Sequence, residues 1–338
     1  MAIGAGDDAQ SVVNEQPPGT AYIVKAGIHL RNFSVRPKSG DTFCGEPGAV
    51  LDGGRSLTSA FSGAATNVTL DSITVQEYAP DWQGAAIEPD ARAGGWVVRN
   101  VSALRNGWAG ILASDGMRIL GGHYNDNDQL GIGGNASTGV VLDGLDDDPA
   151  TLDGPEMARN RTLHAPCEFE GGGFKWDVGT VVIRNAYIHD NECQGLWADL
   201  NAHNALIENN LIENNYGEGV LIEISRDAVI RNNRVYRNGI RAKGWYWDGG
   251  ITVASSPNVE VSGNRLSGNY NGITGTQQDR PDATPPEHLL DNFQVNDNMV
   301  CATGDGGHPT GVAAGNGADL ATRDITFERN TIQADPCE

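Results

Sequence analysis

An asparagine returning at one place in a repeated segment constrains this chain more than any other feature. Three segments align without gaps: Asn204-Ala-Leu-Ile-Glu-Asn-Asn-Leu-Ile-Glu-Asn-Asn, Asp227-Ala-Val-Ile-Arg-Asn-Asn-Arg-Val-Tyr-Arg-Asn and Asn258-Val-Glu-Val-Ser-Gly-Asn-Arg-Leu-Ser-Gly-Asn. Asn210, Asn233, Asn264, Asn298 and Asn330 share one position of the pattern. A strand opening with Gly and an aliphatic follows each segment, at Gly219-Val220, Gly250-Ile251 and Gly272-Ile273. Gly110-Ile111, Gly131-Ile132 and Gly195-Leu196 are upstream members. Uninterrupted periods run 21 to 24 residues, as from Gly110 to Gly131 and from Gly195 to Gly219. That length suits one coil of about three short strands at ~3.3 Å per residue. A coil cannot bury a face alone. Stacked at ~4.8 Å, coils share a continuous core and pair their backbone groups. Asn at the turn tolerates the left-handed conformation, and its amide can bond the equivalent amide one coil on. Leucine-rich repeats would need far more Leu, and propellers a period of roughly 40 residues. The expected fold is all-β: a single parallel β-helix of about ten coils with loop insertions, over residues 19–338, after an N-terminal arm at 1–18.

Composition limits the function classes. Lys and Arg total 23 against 44 Asp and Glu, a formal charge of −21. Nucleic-acid binders need a basic surface, so nucleic acid is not an expected partner. No run of 18 apolar residues occurs, so no membrane span is expected. The 45 glycines follow no collagen period. The first residues lack a basic, then apolar, leader, which leaves a cytosolic protein or one whose signal peptide has been removed; the second, an extracellular protein, is preferred. Of five cysteines, Cys167 and Cys193 flank one repeat and Cys301 and Cys337 lie near the C-terminus. Two bridges with Cys44 left over fit that count, and the connectivity stays open.

The Asn-rich coils resemble the right-handed parallel β-helix superfamily that contains pectate lyases, over roughly residues 20 to 335. Three insertions break the period: 145–170, 240–249 with Trp245-Tyr-Trp247-Asp248, and 276–291 with Pro281, Pro285 and Pro286. All lie beside the same strand stack and are expected to wall a cleft.

Alternation along a strand places the aliphatic after each Gly inward and positions two and four after Gly outward. Taking Gly173-Phe-Lys-Trp-Asp, Gly195-Leu-Trp-Ala-Asp and Gly219-Val-Leu-Ile-Glu as equivalent puts Asp177, Asp199 and Glu223 on one outward line, with Lys175 and Trp197 beside it. Like charges at ~4.8 Å raise one another's pKa, which suits a site that uses a proton, a cation or a reaction; an unused acidic stripe is the plain alternative. Two carboxylates ~5 Å apart suit a retaining glycosidase, and a two-coil separation an inverting one. A line of three could also hold Ca²⁺ through oxygen ligands.

Gly173-Phe174-Lys175 is similar to the Gly-Phe-Lys strand of lysine-base pectate lyases, where a lysine removes the proton alpha to a uronate carboxylate. The preceding coil, Gly131-Ile-Gly-Gly-Asn135, lacks the carboxylates that those lyases use for calcium. Flanking carboxylates also favour the ammonium form of Lys175, against a role as base. A salt bridge to Asp177 or Asp199 is the structural alternative.

Candidate catalytic residues are therefore Lys175, Asp177, Asp199 and Glu223, with the three carboxylates as candidate Ca²⁺ ligands. Candidate substrate-binding residues are Trp197, Asn201, Arg226, Trp245, Trp247, Asp248 and Glu170. The basic run Arg226, Arg231, Arg234, Arg237, Arg241 and Lys243 is otherwise expected to face away and pair with Glu208 and Glu213. The expected activity is on a polysaccharide: a lyase cleaving a uronate-containing glycan by β-elimination, alternatively a glycoside hydrolase, or a glycan-binding protein without chemistry.

Overall fold

The computed structural model describes residues 1–135, 137–146, 152–164, 166–167, 169–177, 179–278, 288–315 and 323–337. Pro281, Pro285 and Pro286 lie outside them, as does 147–151 of the first insertion. Among the described residues three parallel sheets wrap one core, with thirteen, twelve and ten strands. From Ala21–Val24 onward successive strands fall in different sheets, and each pairs with its equivalent one coil on. This is the parallel β-helix expected from the repeat.

The aliphatic after each Gly points inward: Ile111, Leu196, Val220, Ile251 and Ile273 are all fully buried. The glycines before them have a steric reason. A Cβ on Gly195 would lie 2.6 Å from the Gly219 carbonyl oxygen and 2.9 Å from Asn215 Nδ2, and one on Gly219 would lie 2.6 Å from the Gly250 carbonyl oxygen.

Two asparagine ladders run along the helix. In one, Asn210 Nδ2 donates to Asn233 Oδ1 at 2.9 Å, Asn233 to Asn264 at 2.9 Å, Asn264 to Asn298 at 3.0 Å and Asn298 to Asn330 at 3.0 Å. Each also caps a core-facing carbonyl, as Asn233 does for Ile207. The second ladder, Asn106–Asn127–Asn160–Asn191–Asn215–Asn238–Asn269, has the same geometry. The left-handed residue is the one before the ladder Asn rather than the Asn itself: Asn209, Asn232, Asp297 and Arg329 have φ of 58°, 56°, 59° and 55°. The turn therefore divides its work, one residue bending the chain and the next tying adjacent coils together.

Residues 1–18 are not an arm. Ala2–Ile3 pairs with Ala21–Val24, and the helix Ala9–Asn14 buries Ala9 and Val13 in the core cluster. Asp8 caps this helix through the Ser11 N–H. The polar composition of the segment hid its three inward positions, Ile3, Ala9 and Val13.

Candidate functional site

The site grows from register. In the ten-stranded sheet Lys175 lies opposite Trp197, and Asp177 opposite Asp199. Trp197 lies opposite Leu221 and Ala198 opposite Ile222, so Glu223 follows Asp199 on the next rung. The outward line of three carboxylates is present as the alternation predicts, on the floor of a cavity of about 780 Å³. All three insertions supply walls: Phe169 and Glu170 from the first, Arg241, Lys243 and Trp247 from the second, Gln278 from the third.

Lys175 is the most constrained group in this cleft. Its side chain is 6% exposed, and its ammonium lies 3.0 Å from Asp199 Oδ2 and 3.8 Å from Glu170 Oε2. It donates to the Phe169 carbonyl at 2.9 Å and sits 4.1 Å from the centre of the Trp197 ring. Every neighbour is an acceptor or a π-face, an environment that holds a cation. The Trp197 indole N–H donates to Glu223 Oε2 at 3.1 Å. Asp199 Oδ1 accepts from the Leu200 N–H at 2.9 Å. Both flanking carboxylates are thus tied down.

Asp177 is different. Among the described residues its Oδ1 meets no hydrogen-bond donor. Burial pushes its carboxyl up to about 6; Lys175 opposes the shift, and Asp199 and Glu170 add to it. Burial also raises Glu170, which accepts from Gln83 Nε2 at 3.0 Å. The site therefore holds one carboxylate poised to exchange a proton near neutrality, beside a fixed cation.

A model of the "Right handed beta helix region" family matches residues 83–284, more than half of the chain. The chain belongs to the right-handed β-helix family. A comparison with curated proteins returns no match. Among solved structures, the periplasmic alginate epimerase AlgG aligns over 98% of this chain and 83% of its own, at 14% identity and TM-score 0.63. A mannuronic acid specific polysaccharide family 6 lyase from human gut microbiota aligns over 98% and 82%, at 11% identity and TM-score 0.61. A variant of the family PL6 alginate lyase AlyGC aligns over 99% of this chain but 53% of its own, at 14% identity and TM-score 0.57. At such identities the likeness is one of fold.

Within this β-helix the other candidates scatter. Trp197 is only 4% exposed, packed with Leu221, Ala254 and Trp247, so it is a platform for Lys175 and not a face open to sugar. Trp247 is half-buried and lines the cleft; Trp245 is exposed and does not. Asp248 is fully buried, gripped by Arg241 Nε at 3.0 Å and Nη2 at 2.6 Å, with its own N–H donating to Glu218 Oε1 at 3.0 Å. It braces the wall from behind. Asn201, at a left-handed corner, and Arg226, 3.4 Å from Asp227, are not among the lining residues. Asp177, Asp199 and Glu223 do not gather as a calcium set: among the described residues no three His, Cys, Asp or Glu are placed to hold a metal ion. The Lys175 ammonium occupies the space between Glu170 and Asp199 instead.

Arg231 and Arg237 pair with Glu208 and Glu213 as expected. Arg241 and Lys243 instead line the cleft, because the insertion turns the chain away from the Asn strands. Sequence reasoning missed Glu218, Gln194 and Gln83. Gln194 Nε2 donates to Glu218 Oε2 at 3.0 Å, and these residues immediately precede Gly195 and Gly219, a positional signal available in the repeat. The disulfides are Cys167–Cys193 and Cys301–Cys337, with Cys44 free. The first ties the insertion to the sheet two residues before Phe169.

Proposed function

We propose that this chain is a polysaccharide lyase that cleaves a uronate-containing glycan by β-elimination. Asp177 removes the proton alpha to the uronate carboxylate, the electrons form the sugar double bond, and the glycosidic oxygen leaves on the next residue. Lys175, assigned as the base from sequence, acts here as a fixed cation beside the developing negative charge. The observation that carries the reading is Asp177 itself, a cleft carboxyl pushed up to about 6 by burial, with an oxygen that meets no donor among the described residues. The solved relatives named for alginate epimerase and lyase activity support a uronate polymer, and an epimerase shares the first step. Two disulfides support an oxidising, extracytoplasmic compartment. Among the described residues no helix is long and apolar enough to cross a membrane.

A glycoside hydrolase is the second reading, favoured by one specific observation. Asp177 and Glu223 stand two rungs apart, ~9.6 Å by strand spacing, near the separation of an inverting acid and base. Incubation with a panel of uronate polymers decides between them. Ultraviolet absorbance from unsaturated ends marks the lyase, and new reducing ends without it mark the hydrolase. Absence of both in every polymer overturns the lyase and the hydrolase readings alike.

A further inference from the structure

A second cavity, of about 680 Å³, opens on the same sheet face towards the N-terminus. Trp82 stands at it, 71% exposed. Its ring makes an edge contact with Trp108, centres 6.4 Å apart at 70°, and Trp108 in turn stacks on His164 at 4.4 Å. Its charged lining residues are Arg36, Asp81, Glu88 and Asp90, with Thr58, Ser59 and Ser62 adding hydroxyls.

Register connects this cavity to the cleft. Glu88 follows Ile87, which lies opposite Ile111; Leu112 lies opposite Gly133, and Gly133 opposite Lys175. Glu88 therefore stands in the same outward column as Lys175, three strand spacings away, ~14 Å. Between them in that column lie Leu112 and Gly133, neither of them charged. The divider is a single loop whose consecutive residues face opposite ways: Trp82 lines the second cavity, and Gln83 lines the cleft and bonds Glu170.

We propose that the Trp82 cavity is a remote subsite binding an uncharged sugar residue of the same glycan whose reacting unit lies over Asp177. The proposal rests on the reading of the cleft as a polysaccharide site. An extended glycan advances by roughly one rung spacing per pyranose, so a chain along this face crosses both cavities. A broad indole left in water beside a cavity matches the apolar face of a sugar ring. Three carboxylates against the one guanidinium of Arg36 accept hydroxyl hydrogens and repel a uronate. Glu88 reflects that crowding: its carboxyl is raised, first by burial and then by Asp81 and Asp90. The substrate is accordingly a mixed chain, a uronate at the cleft and a neutral sugar about three units along.

The test uses the Asp177→Asn chain, whose turnover is expected to be slow enough for binding to be read, titrated by calorimetry with neutral hexasaccharides (cellohexaose, mannohexaose, xylohexaose) and with oligogalacturonate and oligomannuronate hexamers. A neutral hexasaccharide is expected to bind, and adding Trp82→Ala to weaken it about tenfold, with Trp82→Phe restoring most of the loss. Because Trp82 is a surface side chain, circular dichroism should show an unchanged fold. Binding indifferent to Trp82, or confined to the uronate hexamers, or absent for every neutral hexamer, overturns the subsite. Trp82-dependent neutral binding in a protein that turns over no polymer upholds the subsite and sinks the lyase reading. Polymer turnover with Trp82-independent binding does the reverse.

Discussion

Lys175 and Asp199 form an ion pair of 3.0 Å across two adjacent rungs, with side chains only 6% and 11% exposed. The pair is local in space but 24 positions apart in the chain, brought together by one turn of the coil. Its burial makes it costly to break by halves.

Lys175→Met should therefore destabilise the protein by ~3–5 kcal/mol, because Asp199 and Glu170 lose their cation in a water-poor cleft. Urea denaturation measures this. A loss under 1 kcal/mol would mean that the ammonium is not held as described.

Asp177→Asn is expected to reduce turnover by ~10²–10⁴-fold, the usual contribution of a proton-transferring side chain. Its effect on stability has the opposite sign. A carboxyl raised to about 6 binds its proton more tightly in the folded chain, so its favourable contribution is present below the ordinary value of 3.8 and is lost as pH rises to 6. The Asn variant escapes that loss. It should be more stable than the parent at pH 7, on the order of 2 kcal/mol, with the difference vanishing near pH 4. Thermal melts at the two pH values test the sign.

Asn238→Ala should cost about 3 kcal/mol. Asn238 Oδ1 accepts from the Asn215 backbone at 3.1 Å and from its amide at 2.8 Å, while Nδ2 donates to the Ile212 carbonyl at 3.0 Å. All are buried, so removal strands two donors and an acceptor from water. Arg237 beside it is half-buried and left-handed; changed to Gly, it loses an ion pair to Glu213 but gains the residue that this backbone favours, and should alter stability far less.

Breaking Cys167–Cys193 by a double Ser substitution should lower stability by ~3 kcal/mol, as expected for a closed loop of this length. The same change frees the segment bearing Phe169 and Glu170, which hold Lys175 from above. KM should rise more than kcat falls. Equal loss in both would place this segment in the chemistry instead.

Much of the molecule was readable in the residues because the repeat is its own alignment. Asn210, Asn233 and Asn264 locate the turn, the Gly-aliphatic pairs locate the inward strand, and alternation then puts Asp177, Asp199 and Glu223 outside. Each inference spans one coil and needs only the strand's two-residue period. Where the period breaks, reading fails. Trp245, Trp247 and Asp248 are adjacent in sequence, yet one is exposed, one lines the cleft and one is fully buried. Arg241, grouped by sequence with outward-facing arginines, turns inward to Asp248.

The amino-acid order by itself determined the coil, its register and the line of carboxylates, since these follow from short-range periodicity and the need to bury one face of every strand. Tertiary structure alone decided which of those carboxylates is satisfied and which is poised. That depends on the insertions closing over the sheet: Glu170 and the Phe169 carbonyl capture Lys175, Trp197 is covered, and Asp177 is left with its proton loosely in balance. Desolvation belongs to the space between elements, and no local pattern of residues records it.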